Sequence, residues 1–156
     1  NNALAYSIDV VVTAGDGTTK ITYTVMFTRN QHTNADLSSL ATSVGTLSPV
    51  FSSAQELYTV TLPYTNPSVQ LTPTAVSPVT QSIDVNSGNI VASGALSTPI
   101  ALPVGATTVP VEVTAESGIQ KLYQVTYTRQ PSAEARLGSL VLSKPAVWTP
   151  TFDPST

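Results

Sequence analysis

The chain has 156 residues, a length that favours one domain and leaves ample material for a buried core. Charged residues make up only 10%, against roughly 25% in an ordinary soluble domain, and a net charge of −3 with six scattered basic residues offers no footprint for nucleic acid. A hydrophobic content of 41% argues against disorder, and the absence of cysteine excludes disulfides, thiolate catalysis and cysteine-based zinc sites.

Serine and threonine take the place of charges, so hydroxyls are expected to solvate the surface. No apolar run approaches the roughly 20 residues needed to cross a bilayer, and membrane insertion is not expected. Asn1 does not open a signal peptide. A secreted form is therefore expected to have lost its leader or to carry it outside these residues.

Along the chain, apolar residues alternate with polar ones, the pattern of half-buried strands. Two alternating runs flank Asp16-Gly17, a dipeptide suited to a tight hairpin because glycine accepts positive φ without steric cost. Ala35–Ser43 has room for a turn of helix, but Leu37, Ser39 and Ala41 also fit a strand, and the context favours the strand. Leu57–Leu62 directs Tyr58, Val60 and Leu62 inward. Shorter strands are expected at Val69–Thr74, Thr80–Val85 and Ser97–Leu102. Thr108–Thr114 and Lys121–Thr128 flank a second turn at Ser117-Gly118 and place Val109, Val111, Val113, Tyr123, Val125 and Tyr127 inward. Pro73 and Pro110 fall inside expected strands and so predict sheet edges or bulges. No stretch carries an amphipathic helical period, and the class is all-β.

The end of one segment returns 100 positions later. VVVTAGDGTTKITYTVMFTR closes at Arg29, and VPVEVTAESGIQKLYQVTYTR closes at Arg129, with one gap near the turn. Downstream, ADLSSLATSVGTLSPVF from Ala35 matches ARLGSLVLSKPAVWTPTF from Ala135. Leu37, Leu40 and Ser43 answer to Leu137, Leu140 and Ser143; after a one-residue insertion, Pro49 and Phe51 answer to Pro150 and Phe152. Such repetition predicts three pieces. Residues 1–29 are the last strands of one unit, 35–129 a complete unit, and 135–156 the opening of a third.

The positions Leu37, Leu40, Gly45–Pro49, Phe51, Tyr58, Val60, Pro63, Val111–Ala115, Gly118, Lys121, Tyr123, Val125 and Thr128–Arg129 form an order that resembles the cadherin-like β-sandwich repeat of bacterial surface proteins. The resemblance implies an immunoglobulin-like antiparallel sandwich of about seven strands and an extracellular or cell-surface location. It implies little about activity. The nine acidic residues are dispersed, with no D-x-D grouping, so calcium-rigidified linkers are not expected.

No cofactor, metal or catalytic site is expected. His32 is the sole histidine and lies in a linker, no G-x-S-x-G elbow occurs, and neither Asp9 nor Asp84 has a carboxylate partner. Lys20 and Lys121 flank turns and are expected to be exposed. Thr72, Thr74, Ser77, Thr98, Thr149 and Thr151 lie in Ser/Thr/Pro contexts and are candidate O-glycosylation sites, which makes covalent glycans candidate partners.

The two partial units expose complementary needs. Ile8, Val10, Val12, Tyr23, Val25 and Phe27 in the first, and Leu137, Leu140, Leu142, Trp148 and Phe152 in the last, lack a complete partner core. They are the candidate subunit interface. Joined head to tail with copies of itself, the chain would build an extracellular filament by strand complementation between half-units. The joined halves still lack a counterpart of residues 52–108, so the composite is a reduced sandwich or draws on further subunits. The alternative is a segment of a longer tandem-repeat adhesin or stalk, serving as spacer or ligand-binding module.

Overall fold

The computed structural model describes residues 3–135 and is all-β, with no helix among them. Within the described residues eleven strands run in chain order: β1 (Ala3–Thr13), β2 (Lys20–Asn30), β3 (Leu37–Thr42), β4 (Leu57–Leu62), β5 (Ser68–Val69), β6 (Leu71–Ala75), β7 (Ser82–Val85), β8 (Asn89–Val91), β9 (Ile100–Ala101), β10 (Gly105–Thr114) and β11 (Gln120–Arg129). Among the described residues β1 and β2 pair only with each other, as a long hairpin. The remaining strands form a sandwich: a five-stranded sheet in the order β4-β11-β10-β7-β8, covered by the pairs β3-β6 and β5-β9.

The core sits between these layers because alternation turns every second side chain inward. Val109, Val111 and Val113 on β10, with Tyr123, Val125 and Tyr127 on β11, have no exposed surface. Tyr58, Val60 and Leu62 on β4, Leu37 and Leu40 on β3, Leu71 on β6, and Ile83 and Val85 on β7 pack against them. β4 joins β11 in parallel, pairing Leu57 with Gln124 and Leu62 with Arg129.

Both prolines lie where no ladder donor is needed. The carbonyl of Pro110 accepts from Asn86 N at 2.8 Å, just beyond the end of β7. A strand residue directs its N and O to one side, so the proline nitrogen faces that end and costs no bond to β11. Pro73 likewise accepts from Gly94 N, on the side of β6 away from β3.

Several expected strands change extent. The run Val69–Thr74 divides at Gln70, whose backbone turns to Ser43, while Leu71 N donates to Ser97 Oγ at 3.0 Å. Thr80–Val85 starts at Ser82, and Ser97–Leu102 contracts to Ile100–Ala101. In β3 a bulge between Leu37 and Ser39 resets the alternation, so Leu37 and Leu40 are buried rather than Leu37, Ser39 and Ala41. Lys121 also departs from expectation. Its Nζ lies 2.7 Å from Asp36 Oδ1 and 2.7 Å from Ser53 O, which draws it into a partly buried position.

Candidate assembly surface on the terminal hairpin

The two long hairpins share one pairing register. Val10 faces Tyr23 and Ile8 faces Val25 in the first, just as Val111 faces Tyr123 and Val109 faces Val125 in the second. Ile8, Val10, Val12, Tyr23, Val25 and Phe27 therefore occupy one face, the face that corresponds to the sandwich core. Their surroundings differ completely. Val109, Val111, Val113, Tyr123, Val125 and Tyr127 are 0% exposed, whereas the six hairpin residues are between 45% and 58% exposed. Leu4, Tyr6 and Ile21 extend the same apolar face, and Tyr6 stacks on Phe27 at 5.4 Å between ring centroids. The opposite face mixes Asp9, Thr22, Thr24 and Thr28 with the exposed Val11 and Met26, and Thr24 donates to Asp9 Oδ1 at 2.6 Å.

A two-stranded ribbon with one open apolar face gains little from its own packing. Local bonds hold its turn: Asp16 accepts from the amides of Thr18 and Thr19, both at 2.9 Å, and from the Thr19 hydroxyl at 2.6 Å. Those bonds, the Thr19 hydroxyl foremost, hold the Asp16 carboxyl down at about 2.

The hairpin is tied to one end of the sandwich. Glu116, in the turn between β10 and β11, takes the Arg29 guanidinium, with Nη1 at 3.2 Å, and accepts from His32 N at 3.0 Å. Gln31 Nε2 donates to Glu116 O, and Ser117 N donates to His32 O. The ion pair raises the Arg29 pKa; in turn Arg29 and the His32 amide lower that of Glu116. Glu116 stands where the first turn has Gly15, a difference visible in the sequence, but only the fold shows that it receives the linker. At the far end, Arg129 does different work: it lies 4.5 Å over the Tyr64 ring and donates to Tyr64 O and Leu102 O.

Leu137, Leu140, Leu142, Trp148, Phe152, Thr149 and Thr151 lie outside the described residues. Of the glycosylation candidates within them, Thr72 and Thr74 are half-buried in β6 and Thr98 is exposed, its Oγ1 accepting from Asn89 Nδ2 at 2.8 Å. Ser77 is 6% exposed and its hydroxyl accepts from Val79 N at 3.3 Å.

Chemistry elsewhere is sparse. Among the described residues no three His, Asp or Glu side chains approach closely enough to share a metal ion. The open groove along Ala75–Pro78, Thr80–Ile83 and Ile90–Ser93 has no titratable side chain. A second groove holds Asp84 and Glu112, but Asp84 accepts from Gly88 N and Asn89 N, and Glu112 accepts from Gln120 Nε2. These carboxylates fasten turns and strands.

A family profile for the cadherin-like β-sandwich domain matches residues 37–130, more than half of the chain. The chain belongs to the cadherin-like β-sandwich family. A protein of Evansella cellulosilytica, named "Putative membrane protein", is 37% identical to this cadherin-like chain over 97 residues. The match covers 62% of the chain and 14% of that relative, so the chain spans a small part of the relative's length. No helix among the described residues is long and apolar enough to cross a membrane.

The cadherin-like core makes one pH-dependent prediction. Burial pushes the Tyr127 phenol up to about 12 from its ordinary 10.0, despite its 3.0 Å bond to Thr42 Oγ1. A raised pKa means the folded state holds the proton more tightly. The contribution is therefore complete below pH 10 and is lost as pH rises from there through about 12. Denaturant unfolding is expected to show a loss of about 2–3 kcal/mol across that window, and Tyr127→Phe should remove this part of the alkaline slope.

Proposed function

We propose that this chain is a structural module of an extracellular or cell-surface assembly. In this reading the apolar face of the β1–β2 hairpin is covered by the opening segment, residues 135–156, of a second copy. The observation that carries the proposal is the contrast between two hairpins of the same register, one buried and one half-exposed. Fully burying a valine, isoleucine or phenylalanine side chain contributes about 1.5–3 kcal/mol, so five such positions, together with Tyr23, give a strong drive to find a cover. In the sandwich, the cover over that face includes β3 and Phe51: Leu37 N donates to the Tyr123 hydroxyl, and Phe51 lies 6.2 Å from the Tyr123 ring. Residues 135–156 repeat the sequence of β3 and of the Phe51 loop.

Geometry favours a second copy over self-closure. The hairpin is fastened beside Glu116, while β11 ends at Arg129 beside Leu62 at the opposite end of a ten-residue strand. That strand is about 33 Å long. The eight residues from Arg129 to Leu137 reach at most about 28 Å, less than the strand that separates Arg129 from Glu116, where the hairpin is fastened. Donation between copies is head to tail and propagates unless it closes.

The 14% coverage of the Evansella relative favours a second reading, in which the chain is one stretch of a longer surface protein and serves as a spacer. The same face is then covered by residues of that longer polypeptide. Deleting residues 135–156 and imaging the product by negative-stain electron microscopy separates the two. The filament reading expects wild-type fibres and their disappearance in the deletion; fibres of undiminished length would contradict it.

A further inference from the structure

The sandwich shows which residues of an opening segment meet which residues of a closing hairpin. Three polar contacts link β3 and its approach to β11. The Tyr123 hydroxyl accepts from Leu37 N at 3.1 Å, the Tyr127 hydroxyl donates to Thr42 Oγ1 at 3.0 Å, and Lys121 Nζ meets Asp36 Oδ1 at 2.7 Å. The shared pairing register gives the equivalents on the terminal hairpin: Tyr23 for Tyr123, Phe27 for Tyr127 and Ile21 for Lys121. The sequence repeat gives those on the closing segment: Leu137 for Leu37, Leu142 for Thr42 and Arg136 for Asp36.

These changes are matched. Where the acceptor is a backbone-binding tyrosine, Tyr23 is retained, because a backbone amide is available from any residue at 137. Where the contact is hydroxyl to hydroxyl, both hydroxyls are absent, leaving Phe27 and Leu142. Where the contact is an ion pair, both charges are altered, leaving Ile21 and Arg136. An arginine can lie along an isoleucine with its aliphatic stem and keep its guanidinium in water.

We infer that Phe27–Leu142 and Ile21–Arg136 are the contacts that direct the 135–142 segment of one copy to the 3–30 hairpin of another. The inference rests on the strand-exchange reading above and adds its register and selectivity. Crossed pairings are penalised. Leu142 laid on the β10–β11 face would leave the Tyr127 hydroxyl buried without its acceptor, and Arg136 would face Lys121. Thr42 laid on Phe27 would lose the donor it receives from Tyr127. The device keeps a released opening segment from displacing β3, a hazard for chains that carry similar segments side by side.

The test is a pair of double-substitution cycles in the full chain, read as the critical concentration for sedimentable assembly. Phe27→Tyr is expected to raise it about tenfold, the scale of one buried hydroxyl left without a partner. Adding Leu142→Thr to Phe27→Tyr recreates the Tyr127–Thr42 pair and should return the value to within about threefold of wild type. Ile21→Lys should weaken assembly, and Arg136→Asp should relieve that loss. The thermal melt of the sandwich serves as the control and should be unchanged, since Phe27 and Ile21 are exposed in the single chain. Additive penalties in both cycles, with wild type assembling, would overturn the pairing and leave strand exchange standing. Failure of wild type to assemble at any concentration would overturn both.

Discussion

Aspartate at position 125 is expected to unfold the sandwich, while aspartate at position 25 leaves it folded. The two valines sit at equivalent places in hairpins of the same register, and one is 0% exposed while the other is 54% exposed. A carboxylate at Val125 would sit between Val109 of β10 and Tyr58 of β4, with the apolar core behind it and no cation to pair. An uncompensated buried charge costs about 3–5 kcal/mol or more, against a total stability of about 5–15 kcal/mol for a domain. Far-ultraviolet circular dichroism of Val125→Asp should therefore show loss of the cooperative melt or a collapse of its midpoint. Val25→Asp should shift the midpoint by less than about 3 °C, as surface substitutions do, yet abolish assembly. An equal loss of stability in both variants would mean that the terminal hairpin is already packed within the single chain.

The second large effect is expected at Gly45, for a reason of space. Its φ is +74°, and a Cβ there would lie 2.5 Å from Val60 Cγ1 and 2.9 Å from Leu62 Cδ2. Val60 and Leu62 are each 2% exposed core residues of β4, held by neighbours on every side. Left-handed backbone costs an L residue roughly 1–2 kcal/mol, and forcing a methyl into a packed core adds about 1–3 kcal/mol. Gly45→Ala should lower stability by about 2–4 kcal/mol in urea unfolding at an unchanged slope. A change under about 0.5 kcal/mol would show that the loop can move off β4.

The parts of this fold that were legible in the sequence are those where burial follows a two-residue period. Leu57–Leu62 emerges with both boundaries, and the inward sets of β10 and β11 are the buried ones, because each strand has one face on the core and one in water. Periodicity fails where the backbone departs from it. The bulge at Leu37/Ser39 moves the second buried position from Ser39 to Leu40, and β5 and β9 have two residues each, too short for any pattern. β8 has no strand signal in the sequence. It follows a turn in which Asn86 and Ser87 both take positive φ, and its Ile90 points to solvent, so its composition resembles a loop.

The candidate surface was legible for a different reason. Two segments of like sequence sit in unlike company, and comparing them identifies Ile8, Val10, Val12, Tyr23, Val25 and Phe27 without any structure. What required the fold was the contact map between distant segments. Asp36 reaches Lys121 across 85 positions, and Glu116 receives Arg29 across 87. Neither separation leaves a mark in local pattern. The same holds for the parallel pairing of β4 with β11, which brings Arg129 to the end opposite the hairpin and sets the reach of the chain beyond it.

In the proposed assembly the closing segment of one copy covers the open hairpin of another. Because the chain has no cysteine, single thiols can be placed without interference. Val25→Cys in one preparation and Leu140→Cys in a second, mixed and treated with a short bis-maleimide, give the most direct test, read by mass spectrometry. The account predicts a linked species of about twice the 16.2 kDa chain, joined through positions 25 and 140 and formed efficiently only in the mixture. Its absence under conditions where the chain assembles, or a link within one molecule when both cysteines share a chain at high dilution, would contradict it.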